Sequence, residues 1–508
     1  MIPPRMIAPS SADATSGRRE YTWVLLLIFL AILFRSTVFV FWERAHFDAD
    51  QAITGLMAKH LAELRAFPVF WYGQSYMLAV ESWITAPVFA VAGVSVPTLK
   101  LPLLVINFAV AWLLLRTFVG EVGLRPSVAA IPTLFFALPA AGTAARLVEA
   151  NGGNVEPFLY VLLIWILRDR PAWCGFVVGL GFLQREFTLY GFAALLAVEA
   201  LQGTLFTRTG IRKRLGTFRT AAEVWLVVFW LKEYSSGAGP GTTLGAVYQP
   251  HDNVTELLSR VCVDPRTAIG GFWRVATEHW PVLFGIQERP ISDFGVVTNV
   301  TQGVWWSGIV LAAIAVIPLA GIGRTAWRQR SASVPATAFC GYLVATAVFS
   351  IAGYVIGKCG VINFYYTRYE LLSVLGIAGL SAWFLRAQPS GWLRRAWLGL
   401  AVVWFVLTAV PHVRLLVEYV KHPPQDIRRF IIANLDAGGH RLAVSDYWIA
   451  YPITFLTNER IIVSSSDFMR VQEYERLVAE QRAGVVRISR EPCERGRQIL
   501  PRVWLCEP

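Results

Sequence analysis

The stretch "HFDADQAITGLMAKHL", residues 46–61, sets two carboxylates two positions apart, directly after the first strongly apolar run of the chain. A carboxylate at a helix start can accept hydrogen bonds from the unsatisfied N–H groups of the first turn, or it can stand free as a proton acceptor. Asp48 reads as the N-cap, with Gln51 three residues on as an approximate capping box. Asp50 falls in the first turn. There it is either a favourable charge at the positive helix end or a general base without structural duty. Further on, Ile53, Leu56, Met57, His60 and Leu64 share one helical face, with Asp50, Gln51, Thr54 and Glu63 at polar positions. The spacing predicts an amphipathic helix.

A second acidic cluster, "RLVEANGGNVEP" (146–157), offers Glu149 first and Glu156 next as site carboxylates, or is an ordinary polar loop. Arg35 lies inside the first apolar run, in "ILFRSTVF". An ionisable side chain there is a functional candidate by default, or it snorkels to headgroups.

The elements that must position these residues follow from composition. The 508 residues are 55% hydrophobic and 16% charged, with 20 Trp and 31 Phe, which fits a polytopic helical membrane protein with aromatic belts. The net charge of +12 then marks cytoplasmic loops and lipid headgroups, not nucleic acid. Six cysteines without a CxxC pair suggest neither a zinc ribbon nor a thioredoxin-like site. Apolar runs lie near 21–42, 99–118, 126–143, 155–168, 172–184, 187–203, 219–233, 303–322, 335–357, 367–386 and 394–412. A full span takes roughly 20 residues, and some of these runs are shorter. The run 83–97 is short and bounded by Pro87 and Pro97. Treating it as interfacial puts every basic-rich short loop on one side, as the positive-inside rule asks.

This predicts eleven spans, with residues 1–20 cytoplasmic and a membrane domain over 21–412. Loops 43–98 and 234–302 are then extracytoplasmic, as is a tail over 413–508, which places the protein in a plasma membrane, the bacterial inner membrane. In the tail, "RLAVSDYW" and "RIIVSS" are strand-like and "DFMRVQEYERLVAEQ" has helical periodicity, so a small α/β domain caps the outer mouth. Arg146, Arg185, Lys232, Lys358 and Arg368 fall at outer span ends, where lipid headgroup contact is the plain reading. Cys493 and Cys506 could bridge in an oxidising compartment, and Asn253 and Asn299 open sequons.

Residues 43–100 resemble the first extracytoplasmic loop of GT-C glycosyltransferases, in particular the group of protein O-mannosyltransferases and lipid A aminoarabinose transferases. In those families an Asp, usually followed by Glu, opens a juxtamembrane helix, and a stretch like "GQSYM" with Tyr76 and a proline-bearing apolar segment follow. Here Asp50-Gln51 stands on the Asp-Glu pair, so the second acid is missing. The resemblance extends loosely to the span pattern and to "SDYWIAYPITFLTNERIIV".

It implies a sugar donor on a polyprenyl phosphate, an acceptor hydroxyl on a lipid, polysaccharide or protein, and Asp50 as general base. Asp48, Tyr76, Glu149 and Glu156 would line the substrate site. A lipid-phosphate leaving group needs cations rather than a protonating acid. Arg35, Arg146, Arg185, Lys232 and Arg368 are candidates, and Arg368, in the aromatic "NFYYTRYE", is preferred. Glu81 resembles an acid that some relatives use with a distant His to bind a divalent metal, for which His279 is the candidate partner. A transporter or flippase of lipid-linked sugars is the main alternative, though most spans lack interior charges and no inverted repeat is seen. A non-catalytic binder of lipid-linked glycan is the third reading.

Overall fold

The computed structural model describes residues 11–74, 77–237, 261, 264–286, 292–293, 296–297, 306–328, 337–357, 364–388, 390–481 and 484–507. Among them, six helical stretches are long and apolar enough to cross a bilayer: Gly17–Phe41, Val96–Gly120, Ser307–Arg324, Ala338–Gly357, Thr367–Ala387 and Trp392–Lys421. The chain is an integral membrane protein. The other expected spans also coincide with helices: α5 (Pro126–Ala137), α7 (Glu156–Ile166), α8 (Pro171–Gln184), α9 (Thr188–Leu201) and α10 (Arg208–Gly237). Of these, α5, α7, α8 and α9 are shorter than a full span. They lean on their neighbours, and α7 buries Tyr160, Val161, Leu162, Ile164 and Trp165.

The first loop is built from two short helices. Helix α1 (Ser11–Phe41) leads to α2 (Ala49–Ala62), and α3 (Val80–Ala92) precedes the long α4 (Val96–Gly120). At 13 residues α3 rises only about 20 Å, short of the roughly 30 Å hydrocarbon core. Gly93, at φ +80°, ends it, and Ser95 caps α4 in a reciprocal box with Thr98. The run 83–97 is therefore two elements, because Val96 and Pro97 belong to α4.

Helix α2 departs from the amphipathic expectation. Every residue from Gln51 to His60 is buried. Leu64 lies beyond the helix end, 72% exposed. The reason is a second cover. Helix α3 packs on one side of α2, and α18 (Tyr447–Leu456), from the C-terminal domain, packs on another. Polar residues on the covered faces are paired: Thr54 Oγ1 accepts from Trp71 Nε1 at 3.1 Å, and Lys59 and His60 both reach Glu459.

The last long helix, α16 (Trp392–Lys421), continues nine residues past the expected boundary at 412. The domain that follows has a five-stranded sheet of β1 (Leu442–Ser445), β2 (Ile462–Ser465), β3 (Val486–Ser489), β4 (Gly496–Leu500) and β5 (Val503–Cys506), in the order β2-β1-β3-β5-β4. β1 pairs parallel with β2 and β3, and the β4–β5 hairpin closes the edge antiparallel. Helix α18 crosses from β1 to β2, and α19 (Gln472–Glu480) crosses from β2 to β3. The Cys493–Cys506 disulfide ties the start of the hairpin to its last strand. Tyr447, Tyr451 and Phe455 of α18 belong to the same apolar core as the transmembrane helices, so the domain is fused to the membrane part rather than tethered to it.

Candidate active site

Asp50 begins where α1 ends. Lys100 of α4 donates to Phe39 O at 2.8 Å, Ala45 O at 3.3 Å and His46 O at 2.7 Å, fixing the chain between α1 and α2. His46 takes φ +56° in that turn. Asp48 then caps α2, accepting from Gln51 N at 3.1 Å. Gln51 does not complete the capping box. Its amide donates to His46 O at 3.0 Å and accepts from Ala150 N at 3.4 Å, holding the second loop against the first.

Asp50 is left in the first turn with its side chain 25% exposed. Its Oδ1 accepts from the Tyr447 hydroxyl at 2.5 Å. Its Oδ2 stands 4.0 Å from Arg368 Nη1. A carboxylate with one oxygen fixed and the other open beside a cation is the arrangement a general base needs. Burial first, then the neighbouring carboxylates of Glu149 and Asp50, push the Asp48 carboxyl up to about 7.

The loop 147–155 forms the floor. Glu149 is fully buried and takes Arg146 Nη1 at 2.7 and 2.9 Å and Asn154 Nδ2 at 2.8 Å, with His46 Nε2 at 3.4 Å. Burial would raise its carboxyl, but Arg146 and His46 outweigh that and hold it well below the usual range. Gly152 and Gly153, at φ +89° and +117°, turn two N–H groups onto Glu81, each at 2.7 Å. A Cβ on Gly152 would stand 2.5 Å from Met77 Sδ.

The expected cations separate into two groups. Among the described residues, Arg368 is the expected cation that reaches Asp50. Arg35 does not serve a phosphate: it is buried, and it donates to Ala137 O, Ala144 O and Asn107 Oδ1 at 3.0, 3.4 and 2.5 Å. Backbone carbonyls of the α5–α6 turn and of α6 (Ala141–Arg146) consume its guanidinium inside the bundle. Arg185 is likewise spent on Gly152 O and Asn151 O, at 2.7 and 3.0 Å. Arg146 is committed to Glu149.

Glu156 is buried at the start of α7, and neither of its carboxylate oxygens has a hydrogen-bond partner. Of the two expected metal ligands, Glu81 accepts from two glycine amides, and His279 Nδ1 bonds Glu370 at 2.9 Å, with its Nε2 buried without a partner. Among the described residues no group of three or more His, Cys, Asp or Glu is placed to hold a metal ion. Tyr76, Lys358, Asn253, Asn299 and the side chain of Lys232 lie outside the described residues.

Two site residues carry no signal in the sequence. Tyr447 sits in "SDYW", and Arg470 lies over the rings of Trp71 and Tyr447, at 5.0 and 5.9 Å to the centroids. Only the tertiary contact of α18 with α2 reveals them.

Solved structures with a similar fold exist. ArnT from Cupriavidus metallidurans, bound to undecaprenyl phosphate, superposes with a TM-score of 0.53 at 14% identity, over 91% of this chain and 89% of its own. The chain has the GT-C fold. The Archaeoglobus fulgidus oligosaccharyltransferase in its complex with zinc and sulfate gives a TM-score of 0.50 at 13% identity, over 92% of this chain and 68% of that one. No family model and no curated protein matches the sequence.

Proposed function

We propose that the protein is an inverting glycosyltransferase that moves a sugar from a polyprenyl-phosphate donor to an acceptor hydroxyl at the extracytoplasmic membrane face. The observation that carries this reading is Asp50: a partly exposed carboxylate with one oxygen fixed by Tyr447 and the other open toward Arg368. A GT-C neighbour solved with undecaprenyl phosphate supports the class of donor, and the Arg and Lys partition supports the side.

Asp50 takes the proton of the acceptor hydroxyl as its oxygen attacks the anomeric carbon. The bond from that carbon to the phosphate oxygen breaks with its electron pair, and polyprenyl phosphate leaves as an anion beside Arg368. No protonating acid is needed, because the leaving group is already a stable anion, and one base on the acceptor side gives inversion.

The test is Asp50→Asn. Removing a general base costs on the order of 10²–10⁴ in rate. Release of undecaprenyl phosphate from an undecaprenyl-phosphate hexose, measured with the folded variant in lipid nanodiscs, should fall by that much. Full activity in the variant would end the assignment.

A further inference from the structure

The C-terminal domain leaves three large apolar side chains in the open around Tyr447. Trp448 is 50% exposed, Phe468 63% and Met469 47%. Both rings stand edge-on to the Tyr447 ring, with centroids at 5.1 and 6.1 Å. An exposed apolar cluster rimmed by polar groups marks a binding surface.

Its place in the sheet points the same way. Strand β1 lies between β2 and β3 and is parallel to both. The crossover from β1 to β2 moves one way across the sheet, and the crossover from β2 to β3 moves back the other way. Right-handed crossovers in opposite directions put α18 and α19 on opposite faces. The carboxyl ends of β1 and β3 therefore flank a crevice, which is where open α/β sheets take their ligands. Trp448 follows β1, Phe468 and Met469 follow β2, and Arg490 follows β3.

The groups at this edge select the ligand. A dinucleotide site carries a glycine-rich turn after the first strand and leaves the helix N-terminus bare for phosphate. Here the turn is Ser445-Asp446-Tyr447-Trp448, and Asp446 Oδ1 caps the helix by accepting from Trp448 N at 3.0 Å. Arg490 is not free for phosphate either: its Nε and Nη2 donate to the two oxygens of Asp446 at 2.8 and 3.1 Å. Acyl chains fit poorly, because the Asp446–Arg490 pair would enter hydrocarbon beside the rings. The three side chains expose roughly 300 Å² together, well short of the roughly 800 Å² per partner of a stable protein interface. A ligand with an apolar face and hydroxyl edges remains. The C–H bonds on one face of a pyranose ring meet the negative face of an aromatic ring, and its hydroxyls meet carboxylate and guanidinium groups. We propose that this edge is a carbohydrate-binding site, in which Trp448 and Phe468 take the C–H face of an uncharged sugar and the part-exposed Asp446–Arg490 pair bonds its hydroxyls. It goes beyond the transferase reading, since such a site holds sugar whether or not Asp50 is a base.

The probes are maltotriose, cellotriose and chitotriose, each added to the full chain in phosphatidylcholine nanodiscs and followed by saturation-transfer NMR. Ring C–H protons of at least one sugar should receive saturation. Trp448→Ala should weaken binding of that sugar about tenfold, as loss of a stacking ring does. Trp448→Phe keeps a ring and guards against a folding artefact, so it should retain part of the binding. Phe468→Ala should also weaken it. Phe430→Ala, which removes a ring 45% exposed elsewhere on the domain, should leave it in place.

No transfer to any of the three sugars overturns the proposal, as does transfer that Trp448→Ala leaves intact. If brominated phosphatidylcholine quenches tryptophan emission less in Trp448→Ala than in the wild type, the cluster sits in acyl chains. If the chain in detergent forms a dimer that Trp448→Ala dissolves, the cluster joins two copies. Either result also overturns the proposal. None of these outcomes depends on turnover, so they are separate from the fate of Asp50→Asn.

Discussion

The phenol of Tyr447 donates to Oδ1 of Asp50 at 2.5 Å, a bond that joins residues 397 positions apart. It makes the C-terminal domain a component of the candidate site. The donor arrives on a rigid support, since α18 shares the transmembrane core and Asp467 Oδ1 accepts from the Tyr447 N–H at 2.8 Å.

Tyr447→Phe should therefore lower turnover while leaving the fold intact. A hydrogen bond to a charged group contributes about 1.5–3 kcal/mol, so losing the orientation it gives should slow transfer roughly ten- to a hundredfold. Rates measured beside Asp50→Asn check this. A variant as fast as the wild type removes Tyr447 from the machinery.

Gly55→Ala should loosen the C-terminal domain. A Cβ at Gly55 would stand 2.4 Å from Cε2 of Phe455, inside van der Waals contact. Overpacking of this kind costs about 1–3 kcal/mol. Limited proteolysis should cut the variant faster near α18, and Phe455→Leu in the same chain should restore protection.

Glu459 should be worth more than a surface ion pair. Its side chain is 9% exposed and faces Lys59, His60 at 3.1 Å and Arg65 at 2.7 Å, with the Tyr474 hydroxyl at 2.7 Å. Burial would raise its carboxyl, but His60, Lys59 and Arg65 hold it well below the usual range. A depressed carboxyl stabilises the fold above its unfolded pKa and loses that contribution as pH falls. Glu459→Gln should cost about 3–5 kcal/mol at pH 7. The gap in thermal midpoint from the wild type should shrink below about pH 4.

Asp48 works in the opposite sense. Its carboxyl is pushed up to about 7, burial being the first cause. A raised carboxyl favours the fold while protonated, and that advantage is lost as pH rises from about 4 to 7. Asn caps a helix as well as Asp does, so Asp48→Asn keeps the cap without the charge. Its unfolding free energy, measured by denaturant titration, should gain on the wild type between pH 5 and pH 8, by on the order of 1–2 kcal/mol after solvent screening. A gap that does not change with pH refutes this.

Local features of the sequence were readable, and features that depend on distant partners were not. The apolar runs predict the membrane helices because burial in lipid demands long unbroken stretches. The Asp48 cap is legible because its partner, Gln51 N, is three residues away. Asp50 emerged from the resemblance of its loop, since spacing alone left it as a helix-end charge. The face of α2 was misjudged for a physical reason. Periodicity can show one apolar stripe, with His60 on it, but nothing local shows that Lys59 is covered, because its partner Glu459 comes from 400 positions away. Arg35 looked like a phosphate ligand because its partners, Ala137 O, Ala144 O and Asn107, give no sequence signal at all.

The bond between Asp50 and Tyr447 also has a meaning in time. A ribosome adds about 5–20 residues per second. The 397 positions from one to the other therefore take roughly 20 to 80 seconds to synthesise. Throughout that interval the helix bearing the carboxylate is already made, while its partner does not yet exist. A chain ended before Tyr447 carries half of the candidate site, and Asp50 gains its phenol partner only when the C-terminal domain has closed over the first loop.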